Sequence, residues 1–150
     1  MSITLSQYFI GRPHTQEQEE VASELLEKVN ALLNEYVQCG GILHINPHTN
    51  SLISGMTEGG FRLPYCVQGK LWSSHKILIE YFDKLGRGAG IDIHDPDDKL
   101  DLWITDAILE KHGLYREHPD YTRLGSDGKP HPWCHLTTRA PASKKRSFIP

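Results

Sequence analysis

From Gln16 to about Tyr36 the apolar residues Val21, Leu25, Val29, Leu32, Leu33 and Tyr36 recur at helical intervals, and Thr15 with Gln18 forms a capping-box pattern ahead of them. The spacing predicts a scaffold helix. Breakers at Cys39-Gly40-Gly41 and Pro47-His48-Thr49-Asn50 surround the short run Gly41 to Ile45, where short strands and loops are expected. A second stripe, Ile77, Leu78, Tyr81 and Leu85, predicts an amphipathic helix that begins just after His75 and stops at Gly86. Ile91-Asp92-Ile93-His94 alternates apolar with polar, so a strand here buries the isoleucines and turns Asp92 and His94 to the opposite face. Asp95 and Pro96 then read as the N-cap and first-turn proline of a helix with the stripe Leu100, Trp103, Ile104, Ala107 and Ile108, closed by Lys111, His112 and Gly113. Ser126-Asp127-Gly128-Lys129 reads as a tight turn, and Trp133 to Thr138 as a returning strand with Trp133, His135 and Thr137 on one face. Short strands with segregated helices predict an α+β fold, a small antiparallel sheet with helices packed on it.

Composition narrows the functional classes. A chain of 150 residues with 38% hydrophobic content has material for one core, so residues 1–150 are read as a single domain, expected to act as a monomer. A formal charge of -3 gives no basic field to gather phosphates, which argues against nucleic acid as a partner. No stretch approaches the length of a membrane span, and the opening residues lack a basic start followed by an apolar run, so the expected location is cytoplasmic, without a signal peptide. The three cysteines, Cys39, Cys66 and Cys134, form neither a disulfide framework nor a thiolate zinc cluster, and are expected to be reduced and mostly buried. Histidine stands out: there are nine, which directs attention to metal ligation.

Zinc in a hydrolase takes three protein ligands and leaves one position open for water, and imidazole nitrogen with carboxylate oxygen suits it. His75, Asp92 and His135 can supply such a set. Taken singly, each is equally a surface or satisfied core residue, and spacing alone does not decide between these readings.

The chain resembles the zinc D-Ala-D-Ala peptidases, especially their small phage-type members, which share a fold with lysostaphin-type enzymes and the Hedgehog signalling domain. The resemblance rests on Ser73 to His75 as Ser-x-His, Gly88 to Asp92 as Gly-x-(small)-x-Asp, and Trp133 to His135 as Trp-x-His. Asp92 to Pro96, Gly113 to Pro119 and the closing run from Ala140 to Pro150 add to it, from about Ser54 to the C terminus. The resemblance implies a Hedgehog/D-Ala-D-Ala metallopeptidase-like fold with one Zn²⁺ held by His75, Asp92 and His135. Asp92 follows His75 by 17 residues, about ten more than the family pattern, so residues 76–87 are expected to loop out as a helical flap at the rim of the site.

Further roles follow from the same likeness. Some relatives place Glu three residues before the last histidine, where this chain has Pro132, so the general base falls to Glu117 or His131. Glu117 lies in the Gly113 to Pro119 stretch; otherwise it reads as a solvated carboxylate at a helix end. His131 shares a face with His135 if the strand extends through Pro132, or is a loop residue between prolines. Arg62 resembles an arginine that holds a substrate carboxylate or a developing oxyanion, and is otherwise an ordinary surface arginine. His94, on the same side as Asp92, is expected to support or pack against the ligands, and Lys144-Lys145-Arg146 to be a solvated basic tail. The implied activity is zinc-dependent hydrolysis of peptidoglycan stem peptides, of the carboxypeptidase or L-Ala-D-Glu endopeptidase type, by a phage or prophage endolysin held in the host cytoplasm until release. The alternative is a virion or tail protein that keeps the zinc fold to bind wall peptides with little hydrolysis.

Overall fold

The computed structural model describes residues 1–55, 59–61, 88–119 and 132–149. The expected helix at 76–87 and the turn at 126–129 lie outside these residues.

Two helices open the chain. Helix α1 (Leu5–Phe9), not anticipated from the sequence, begins at Thr4, whose hydroxyl accepts from the Gln7 amide while the Gln7 side chain accepts from the Thr4 amide. Its register is set by docking more than by propensity: Tyr8 is fully buried and its hydroxyl donates to the Gly90 carbonyl at 2.9 Å. Helix α2 (Gln16–Gln38) starts at the expected capping box of Thr15 and Gln18. Its buried stripe runs through Ala22, Leu25, Leu26, Val29, Leu32, Leu33 and Tyr36, so the helix is turned slightly from the expected face, with Ala22 and Leu26 inside and Val21 only half-buried. At its end the Gly40 amide donates to Val37 and the Gly41 amide to Tyr36, a closure that needs the positive φ of 94° at Gly40. Cys39 in this turn is exposed, contrary to the expectation of buried thiols, whereas Cys134 is buried.

The single helix expected after Asp95 is two. Helix α3 (Lys99–Trp103) ends at Ile104, whose backbone is extended, and helix α4 (Asp106–His112) begins with Thr105 accepting from the Ile108 amide. Leu100 and Ile104 of the expected stripe are buried, but beyond the internal cap at Thr105 Ala107 is exposed, Ile108 half-buried and Leu109, outside that stripe, fully buried, so the second piece is turned from the expected face. Position 98 starts α3 in a left-handed conformation without a side-chain cap, and the Asp95 carboxylate serves instead, accepting from the Leu100 and Asp101 amides at 3.0 Å each.

Four strands form one sheet in the order β1-β3-β2-β4: β1 (Gly90–His94), β2 (Tyr115–Glu117), β3 (Trp133–Thr137) and β4 (Ser147–Phe148). β3 pairs antiparallel with both neighbours, but β4 runs parallel to β2, so the sheet is mixed and not wholly antiparallel as expected. The closing segment is thus part of the sheet; the Arg146 guanidinium stacks on Tyr115 with its carbon 4.4 Å from the ring centroid, while Lys144 and Lys145 remain exposed. The outer edge of β1 is covered by the chain around Ile53, which bridges Ile93 and exchanges backbone hydrogen bonds with Asp92 and His94. Ile91, Ile93, Cys134 and Leu136 join the α2 stripe in one core cluster. On this face Arg116 donates to the carbonyl and carboxylate of buried Asp101 and, through Nε, to Ser147. No helix among the described residues is long and apolar enough to cross a membrane.

Burial raises the Asp95 carboxyl from its ordinary 3.8 to about 6, despite the two amides that favour its charged form. The folded protein therefore holds this proton more tightly than the unfolded chain, so Asp95 adds stability that is complete below pH 3.8 and lost as the pH rises through about 6. Asp95→Asn keeps an oxygen for capping and removes that dependence. Urea unfolding between pH 4 and pH 7 should show the wild-type protein losing stability relative to this variant as the pH rises.

Candidate metal centre

The register of β1 on β3 pairs Asp92 with His135, and His135 Nδ1 lies 2.8 Å from Asp92 Oδ1. Directly opposed residues of an antiparallel pair project to the same face, and the alternation that buries Ile91 and Ile93 against α2 sends Asp92 to the other side. Neither residue is exposed to water: Asp92 is 6% exposed and His135 1%. β2 continues the arrangement. Tyr115 pairs with Thr137 and Arg116 with Leu136, so by alternation Glu117 falls on the face of the sheet that carries His135. Glu117 is 5% exposed and lies in a strand, so the reading of it as a solvated carboxylate at a helix end does not hold. Asp92 and His135 are thus paired, and Glu117 lies on the same face of the sheet.

The Asp92 and His135 donors suit zinc. An imidazole nitrogen and a carboxylate oxygen are the donor types that zinc takes in hydrolases, and these two residues would hold it. The remaining predicted site residues, His75, Arg62 and His131, lie outside the described residues. Among the described residues, the three potential ligands that come within 4.8 Å of one another are the carboxylates of Asp95, Asp98 and Asp101; Asp92, His135 and Glu117 do not form such a cluster. Asp95 is occupied in capping α3 and Asp101 in receiving Arg116, which accounts for that cluster as a structural one. Cys134 is no nucleophile: burial pushes its thiol well above the ordinary value, beside the charge of Asp101.

No family model, curated protein or solved structure matches this chain.

The sequence-based expectations gave His94 a supporting or packing role beside Asp92 but not the cavity that it lines. His94 pairs with Trp133 in the register, one row along from Asp92 and His135. Together with Asn46, His48, Ser54 and Pro132 they line a cavity of about 210 Å³. Burial, then the neighbouring His44 and His48, lowers the pKa of His94, so its ring is neutral at pH 7. Among the described residues its buried Nδ1 has no hydrogen-bond partner, an arrangement that costs about 1 to 3 kcal/mol. Pro47-His48-Thr49-Asn50 was legible as a chain breaker, but nothing in its composition says that it returns to β1.

Removing one partner of a buried hydrogen-bonded pair costs the other that bond in a desolvated setting. In metal-free protein, His135→Ala should reduce stability by about 1 to 3 kcal/mol, and Asp92→Ala by a similar amount. The double variant should lose less than the sum, and urea titrations of the four proteins measure that coupling.

Proposed function

We propose that this chain is a zinc-dependent peptidase acting on peptidoglycan stem peptides, with the Hedgehog/D-Ala-D-Ala metallopeptidase-like fold and an endolysin's role. The observation that carries the proposal is the buried pair of Asp92 and His135, with buried Glu117 on the same face: the motif resemblance names the first two as zinc ligands and Glu117 as one of two candidate bases, and these residues are distant in sequence. The α+β architecture and the strand positions of Asp92, Glu117 and His135 agree with this reading.

Asp92 and His135 would hold the zinc, with His75 as the third ligand implied by the motifs. Bound zinc supplies a Lewis acid that polarises the scissile carbonyl and makes water acidic enough to attack near neutral pH. Glu117 takes the proton from the attacking water and passes it to the leaving amine, the work for which a carboxylate at the edge of a metal centre is suited. The surrounding strands keep the carboxylates and imidazole in fixed directions, so little reorganisation accompanies the reaction.

Purified protein should contain one zinc per chain and release peptide fragments from isolated peptidoglycan, with activity lost to a strong chelator and regained on adding zinc. Glu117→Gln should retain zinc and lower the rate about 10²- to 10⁴-fold. Mass spectrometry of the fragments identifies the bond cut. A zinc-loaded protein that sediments with cell walls but releases nothing would replace the enzyme reading with that of a wall-binding virion protein.

A further inference from the structure

Alternation along β4 divides its side chains between the two faces of the sheet. Ser147 joins Arg116 on the helix side, where its hydroxyl accepts from Arg116 Nε at 2.9 Å and donates to Asp106 at 2.8 Å. Arg146 and Phe148 therefore turn to the face that carries Tyr115, Thr137 and His135. There the Arg146 guanidinium stands over the Tyr115 ring, 4.4 Å from its centroid, and its Nη1 donates to the Leu114 carbonyl at 3.1 Å. Stack and hydrogen bond together fix its direction, and the single bond leaves most of its N–H donors available. Among the described residues no carboxylate pairs with it, whereas Arg116, on the opposite face, is paired with Asp101. Thr137 stands two residues beyond His135 on β3 and pairs with Tyr115. Two steps along the strand and one strand across put the guanidinium about 10 Å from the Asp92 and His135 pair, the reach of about three residues of extended peptide. Thr137 is buried while Tyr115 and Arg146 are half-buried, so the cation stands at the rim of the enclosed pair.

We propose that Arg146, held over Tyr115, binds a carboxylate of the substrate peptide at the rim of this face. The inference rests on the peptidase reading of the adjacent pair. A guanidinium presents parallel N–H groups in a planar fork that matches the two oxygens of a carboxylate, and here the fork is oriented before the ligand arrives. The exposed Lys144 and Lys145 next to it in the chain add charge of the same sign, which draws an anionic group to this end of the sheet. The carboxylate belongs either to the end of the peptide or to an acidic side chain, lying about three residues from the bond that is cut. Arg146 determines specificity and takes no part in the proton transfers assigned to Glu117.

The test compares soluble stem-peptide fragments as free acids with the same fragments amidated at the C-terminal or at the side-chain carboxylate. Hydrolysis and calorimetric binding are measured on zinc-loaded wild-type, Arg146→Gln and Arg146→Lys proteins, with zinc content and thermal unfolding recorded for each. For wild type, one amidated form should have a KM about tenfold above that of the acid with kcat within about twofold, and the form affected identifies the carboxylate. Arg146→Gln should treat acid and amides alike, and Arg146→Lys, with the charge but not the fork, should keep part of the preference. A merely structural stack on Tyr115 would lower thermal stability and change acid and amide together. Equal cleavage of acids and amides by wild type, a comparison that needs no variant to fold, overturns the carboxylate site and leaves the peptidase reading standing. So does a preference that survives in Arg146→Gln. Wild-type protein that cleaves nothing but binds the acid form more tightly, with the difference lost in Arg146→Gln, supports the carboxylate site and overturns the peptidase reading. A folded, zinc-loaded protein that neither cleaves nor binds the fragments overturns both.

Discussion

The register of β1 on β3 is the constraint from which the rest of the structure follows. Ile91 and Ile93 face Leu136 and Cys134, and all four enter the same apolar cluster as the α2 stripe. Because side chains alternate with a period of two, this burial dictates that Asp92 and His135 oppose one another on the other side. A slip by one residue would carry both polar groups into the core and the isoleucines out of it, at a free-energy difference far beyond the marginal stability of a small domain. The hydrophobic pattern therefore guarantees the pairing of the polar residues without any attraction between them being needed to select it.

The two faces of the sheet bury polar groups in different ways. On the helix side, Arg116 is enclosed by Asp101 and Ser147, and Ser147 in turn donates to Asp106, so β2, β4, α3 and α4 meet through one connected set of hydrogen bonds. Such a network specifies position more than it adds stability, since the desolvation of an ion pair offsets much of its attraction. Its consequence reaches across the strand. Fixing Arg116 inward fixes its neighbour Glu117 outward, onto the face that carries His135. The surface pairs of Glu35 with Lys111 and His112, at 2.7 Å each, tie α2 to α4 and complete the frame behind the sheet.

What was legible in the sequence was whatever local period and local chemistry determine. The capping box at Thr15, the alternation at Ile91 to His94 and the strand at Trp133 are each written within a few residues, and the structure has them. The break at Ile104 was hidden because the apolar stripe continues across it, while Thr105 offered a cap that competed with helix continuation. Helix α1 and the two-residue strand β4 were not visible: they exist through distant partners, Gly90 for Tyr8 and Glu117 for Phe148, which no window of sequence contains. The same holds for the candidate site. Motif resemblance singled out Asp92, His135 and Glu117 individually, whereas their common face and the His94 cavity depend on strand order, a tertiary property.

Strand order in the sheet differs from order along the chain, and this has a consequence for biosynthesis. β3 is central, yet it is the third strand to leave the ribosome, and both of its neighbours precede it. Until residue 137 has emerged, β1 and β2 have no described partner between them, and the isoleucines of β1 must wait beside an already helical α2. The nascent chain thus passes through a stage with an incomplete sheet and exposed strand edges, the condition in which chains associate wrongly. Pairing of β3 with β1 is also what brings Asp92 and His135 together, so the candidate site cannot form before residue 135 has been made.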